Sequence, residues 1–131
     1  MSNYPPPTGV PQNQKPGMVT AISILTLING IFNILWGAGV SFSLIFGIFT
    51  IVCIPITILP AVLGIFEIIY AIKLLSNPPQ PVQPSQVLAI LEICCIIVGN
   101  VVSLVVGILA LVFYNEPEVK AYFARINGQP V

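Results

Sequence analysis

Histidine is missing from this 131-residue chain, and charge is scarce: four Lys and Arg and four Asp and Glu make up 6% of the residues. Without histidine the chain lacks the commonest general base and the commonest metal ligand. Four positive charges balanced by four negative leave no basic face for nucleic acid. A soluble domain carries roughly 25% charged residues. A chain that is 56% hydrophobic and so poorly charged cannot cover a soluble surface. The shortage of polar surface places it in the membrane class, with the lipid bilayer as its first partner.

Cysteine is also rare. Cys53, Cys94 and Cys95 all lie inside apolar runs, where an odd number of thiols reads as small apolar packing groups rather than a disulfide frame or metal site. The chain has no Asn-x-Ser/Thr acceptor. No Ser-His, Cys-His, metal-spaced or phosphate-loop arrangement occurs. These gaps predict a protein that is not an enzyme and needs no cofactor.

What the chain does have is apolar length. Gln86 to Tyr114 holds one charge, Glu92, and no proline. As a helix it would reach about 43 Å, against about 30 Å for a bilayer core. The stretch therefore reads as a full span, with Gly99, Ser103 and Gly107 at four-residue spacing for close helix contact. Met18 to Val40 reads as the first span, with Gly30 and Gly37 on its small-residue side and Trp36 as an interfacial anchor. Residues 41–75 contain Pro55 and Pro60. They read as two helices, 42–57 and 60–75, with a tight turn around Ile56 to Leu59 and Pro60 at a helix start. Gly47 and Gly64 are their packing positions. A single broken helix, giving three spans, is the alternative.

Three segments flank these spans. Residues 1–17 hold five prolines and read as a disordered tail rather than a secretory leader. The connector 76–85 has four prolines, a stiff non-helical loop. Asn115-Glu116-Pro117-Glu118 reads as a helix start with Asn115 as cap. Val119, Tyr122, Phe123 and Ile126 follow at helical spacing, so 115–131 reads as a short amphipathic helix and tail at the membrane interface, Tyr122 and Phe123 toward acyl chains. The fold class is an all-α membrane protein, a compact bundle of four transmembrane helices over 18–114. Four spans put Lys15, Lys120 and Arg125 on one side and Lys73 near the other, so both termini are expected in the cytoplasm, at the plasma membrane. In outline (proline-rich tail, four spans, short loops) the chain resembles the tetraspan proteins of the B-lymphocyte-antigen type, which implies nothing about particular residues.

Polar residues inside spans mark where chemistry could sit. Asn29, Asn33 and Asn100 fall near mid-membrane and read as interhelical hydrogen-bonding groups or as the lining of a permeation path. Val62–Ile72 aligns with Val87–Ile97 at six identical positions of eleven, and the match includes Glu67 and Glu92. In a hairpin around 76–85 both glutamates lie about 9–12 Å below one surface. They read as neutral carboxyls clamping helices, or as an ion- or proton-coupling pair. Pairing of one with Lys73 is a further possibility. The functional expectation is a self-associating or accessory structural subunit of a larger membrane complex, a homo-oligomer included. The alternative is a small oligomeric proton- or ion-conducting channel or transporter.

Overall fold

The computed structural model describes residues 14–44 and 50–130. The tail reading over 1–13 and the packing role of Gly47 lie outside the described residues. Among the described residues there are five α-helices: α1 (Gly17–Leu44), α2 (Thr50–Leu75), α3 (Gln86–Cys94), α4 (Val101–Tyr114) and α5 (Pro117–Ile126), with a turn of 3-10 helix, Cys95–Val98, after α3. No strand occurs among the described residues. Two of the helices, α1 and α2, are long and apolar enough to cross a membrane, or three segments if α4 and α5 together form one bent span.

The two-helix reading of 41–75 is corrected. No turn interrupts Ile56 to Leu59; α2 runs unbroken through Pro55 and Pro60. Proline removes one backbone bond and crowds the preceding turn, but a neighbouring helix can hold a transmembrane helix together across it. Here that neighbour is α1. A Cβ at Gly37 would lie 2.7 Å from the backbone N of Ala61, and one at Gly30 would lie 2.8 Å from the carbonyl of Gly64. These approaches pair α1 and α2 as antiparallel rods just past Pro60, and between the two prolines Thr57 Oγ1 lies 3.1 Å from Ser41 Oγ of α1. At 28 and 26 residues both are about 40 Å long, and a turn at 56–59 would strip α1 of its partner beyond Gly37.

The unbroken span over 86–114 is also corrected. The chain stops at the 3-10 turn, passes Gly99 at φ 77° and restarts at Asn100, whose side chain accepts from the backbone N of Ser103. A left-handed glycine closing one helix and an asparagine capping the next are local stop and start signals. The chain then doubles back. Gly107 of α4 packs on the carbonyl of Ala89 in α3, and Tyr114 and Ser85 both bond the Tyr70 hydroxyl. The second hairpin thus enters and leaves at one end of the α1–α2 pair. Its tip reaches Trp36, whose Nε1 donates to the Val98 carbonyl at 3.3 Å. The tip lies about 12 Å of helix rise short of the end of α1.

Gly99 does not make the helix contact expected of it. It is exposed, and the nearest atom to a Cβ placed there is Trp36 Cζ2 at 3.9 Å. Gly99→Leu is therefore expected to cost about 1–2 kcal/mol, from left-handed backbone strain and not from helices forced apart. Gly99→Asn should recover much of that loss, because Asn tolerates this conformation. Thermal melts of both variants in detergent check this; equal losses for Leu and Asn would exclude strain as the cause.

Helix α5 turns 79° from α4 and lies across the shared end of the two hairpins. Pro117 opens it, and Asn115 does not cap it: the Asn115 amide donates back to Leu111 O at 2.8 Å, inside α4. Its apolar face is turned into the bundle rather than toward acyl chains. Val119, Tyr122 and Phe123 are buried with Val19, Ile22, Tyr70, Leu74, Ala89, Ala110 and Tyr114. This apolar plug is tied down by three longer-range contacts. Lys15 Nζ donates to Leu74 O, Arg125 Nη2 to Gln14 O at 3.3 Å and Asn127 Nδ2 to Val82 O at 3.0 Å. Burial pulls the Lys15 ammonium below its ordinary value. Lys15, Lys73, Lys120 and Arg125 all gather at this one end, so Lys73 does not lie opposite the termini.

Candidate functional site

Beyond the apolar plug the interior is polar and the exterior apolar. Asn29, Asn33, Thr26, Glu67, Glu92, Asn100 and Ser103 are at most 3% exposed, whereas Ile28, Ile31, Leu35, Ile65, Phe66 and Ile69 on the same helices are 47–67% exposed. This inversion suits a chain whose outer surface meets hydrocarbon and whose polar groups pair with one another.

The polar groups converge on one cluster drawn from four helices. From α1, the Asn33 amide donates to the two Glu67 oxygens at 2.9 and 3.1 Å, and the Asn29 amide to the same oxygens at 3.3 and 3.4 Å. From α4, Ser103 Oγ donates to Asn33 Oδ1 at 2.7 Å and approaches Asn29 Oδ1 at 3.1 Å. Asn100 Nδ2 donates to Asn33 Oδ1. Asn33 is thus the hub: it bonds Glu67 of α2 on one side and both Asn100 and Ser103 of the second hairpin on the other. Glu92, from α3, lies within hydrogen-bonding reach of Glu67 and of the Asn29 amide. The Glu92 Oε2 is buried without a hydrogen-bond partner. Lys73 stands exposed, while Glu67 is fully buried, so a Lys73–Glu67 pair does not form.

Both glutamates sit in the same local mould. A Cβ on Gly30 would touch Gly64 O, Glu67 Cβ and Ile68 Cγ1; a Cβ on Gly107 would touch Ala89 O, Glu92 Cβ and Ile93 Cγ1. Residues 64, 67 and 68 align with 89, 92 and 93 in the internal repeat. Helix α2 runs toward the plugged end and α3 away from it. Two copies of one helix-pair unit therefore meet with opposite directions, each turning its glutamate to the other. Their matched depth lies on the side of the termini, because 76–85 is at that end.

All five polar candidates, Asn29, Asn33, Glu67, Glu92 and Asn100, come together here. Of the packing positions, Gly30, Gly37, Gly64 and Gly107 lie in close helix contacts, Ser103 is a donor in the network as well as a small residue, and Gly99 is a turn residue. Sequence reasoning missed the role of Trp36 at the hairpin tip and the Tyr70–Tyr114 hydroxyl contact of 3.1 Å. The Gly99-Asn100 dipeptide was the available signal for the break; no local signal marks the tyrosine pair. All three cysteines are free, Cys95 buried and Cys94 exposed. Among the described residues no group of His, Cys, Asp or Glu is arranged to hold a metal ion.

Fold and site together define a helical protein of membrane type with a closed polar interior. No family model, curated protein or solved structure matches the chain, so the resemblance to tetraspan proteins rests on outline alone.

Proposed function

We propose that this chain is a non-catalytic integral membrane protein acting as a self-associating or accessory structural subunit of a membrane complex. One observation carries the reading: the polar groups within the bundle pair with each other, while its flanks are covered by exposed Ile, Leu, Val and Phe. Such a surface suits lipid or another apolar helix. In place of four spans we propose one crossing hairpin, α1–α2, and one re-entrant hairpin, α3–α4, that dips in and returns. The gathering of four basic side chains at the plugged end supports a cytoplasmic position for both termini and for 76–85, at the plasma membrane.

Single cysteines in a cysteine-free background test this arrangement. Gln80→Cys and Gln129→Cys are expected to react with an impermeant thiol reagent from the same side of sealed vesicles. Four spans would place them on opposite sides, and labelling from opposite sides would end the re-entrant reading. Membership of a complex is tested by the mass of the particle extracted in mild detergent; a lone monomer at every protein concentration would end it. The rival reading, an oligomeric proton or ion conductor, is favoured by the buried Glu67–Glu92 pair. Liposomes that hold the protein and show no pH-dependent flux would remove it.

A further inference from the structure

The Glu67–Glu92 contact needs a hydrogen that two carboxylates do not possess, since an ionised carboxyl only accepts. Glu67 is already an acceptor, with the Asn29 and Asn33 amides on both its oxygens. Asn29 also reaches Glu92, but one Glu92 oxygen is left without an N–H, so Glu92 is the better placed donor. Its Oε2 is buried, on a residue 1% exposed, with no N–H or O–H directed at it. A metal ion would require several free oxygens. Here Asn29 Oδ1 and Asn33 Oδ1 already take the Ser103 hydroxyl, and Asn33 Oδ1 takes Asn100 as well. One free oxygen suits a proton and nothing larger.

The groups facing the pair offer no positive charge. From α1 come Asn29 and Asn33, and from α4 come Asn100 and Ser103. Tyr70 of α2 and Tyr114 of α4 lie within electrostatic reach of Glu92, and Cys95 within reach of both glutamates. Loss of the shared hydrogen would therefore leave two like charges in contact in a dry interior, a strongly repulsive arrangement. Between α2 and α3 lies a cleft of about 250 Å³ lined by Leu59, Val62, Leu63, Phe66, Leu88 and Leu91.

We propose that Glu67 and Glu92, the meeting point of the two inverted repeat units, form a binding site for one exchangeable proton whose release unseats the α3–α4 hairpin from the α1–α2 pair. On release the O–H bond of Glu92 breaks, the electron pair stays on its carboxylate and the proton passes to water. This holds whether the chain is an accessory subunit or a conductor.

The protein carries its own reporter. Trp36 is the only tryptophan, and its indole N–H bonds the tip of the hairpin at Val98. The full chain in lipid nanodiscs is titrated toward alkaline pH while infrared difference spectra and Trp36 emission are recorded. The parent is expected to lose a protonated-carboxyl C=O band, and Trp36 emission to shift to the red at the same pH. Glu92→Gln is expected to lack both transitions while keeping the parent's emission at neutral pH, since its amide still donates to Glu67. Glu67→Gln is a second variant, should the first fail to fold: it keeps the Glu92 carboxyl band but removes the like charge, so Trp36 emission is expected to stay unchanged through the titration. A parent without a protonated-carboxyl band at neutral pH overturns the proposal, as does a band and emission shift that persist in a folded Gln variant. A band lost with Trp36 emission unchanged overturns the link to the hairpin.

Discussion

Gly64→Leu is expected to destroy the α1–α2 pair. A Cβ at Gly64 would lie 2.4 Å from the Gly30 carbonyl oxygen and 3.0 Å from Asn33 Cβ. The first of these atoms is backbone in a long helix and cannot swing aside, so the helices must part. Overpacking of this kind costs about 1–3 kcal/mol when side chains can adjust, and more when backbone must move. In a bundle held by close contact rather than by hydrophobic burial, separation also exposes the polar cluster on which both hairpins depend. The expected result is a chain that aggregates on extraction or melts far below the parent. Gly39→Ala is the matched control: it lies in the same hairpin, a Cβ there meets nothing within 4 Å, and helix propensity alone favours Ala by about 1 kcal/mol. Circular-dichroism melts and size-exclusion profiles in one detergent check both. A Gly64→Leu chain as stable as Gly39→Ala would sink the close-contact account.

Asn33→Leu is expected to be the most damaging change in the polar cluster. It removes a donor to Glu67 and the acceptor of both Asn100 and Ser103. Asn100 Nδ2 is left without its acceptor, while Glu67 and Ser103 fall back on the longer Asn29 bonds; at about 1–3 kcal/mol for an unpartnered buried group, the total is expected at roughly 2–4 kcal/mol, a large share of the stability of a small domain. Asn29→Leu should cost less. Its bonds to Glu67 are longer, at 3.3 and 3.4 Å, and Ser103 retains Asn33 as its nearer acceptor. The same melts rank the two. Proteolysis near the 76–85 loop should also quicken more in the Asn33 variant, because Asn33 is what ties the second hairpin to the first. Equal stability of the two variants would mean that Asn33 is not the hub.

Much of the site is legible in the sequence. Asn29, Asn33 and Asn100 are amides in a membrane-class chain, where an amide facing lipid is costly, so they had to turn inward. Gly30, Gly64 and Gly107 lie among residues too bulky for helices to meet elsewhere. The aligned glutamates pointed to a pair. Gly99 shows the limit of that logic: its spacing from Ser103 and Gly107 suggests one continuous face, but the Asn beside it caps a new helix and the spacing is coincidental.

Composition and the placement of small and polar residues were enough, by themselves, to establish a helical chain of membrane type, an interior built from amides and carboxyls, and a short last helix with Val119, Tyr122 and Phe123 on one apolar face. These are local properties, set by what each side chain can tolerate beside water, lipid or backbone. The tertiary structure decided which partner each segment found. Pro55 and Pro60 read as a turn in isolation, and α2 stays whole because α1 lies along it with Gly37 on Ala61. The stretch 86–114 is long enough to cross, yet it folds back at Gly99–Asn100, where α4 finds α3 through Gly107 and the cluster through Asn33. The apolar face of α5 could have met acyl chains; it closes the bundle instead, because the two hairpins open toward it and leave Tyr70, Leu74 and Tyr114 to be covered. Pairing of this kind is decided by distant residues that compete for the same surface, and no window along the chain contains both competitors.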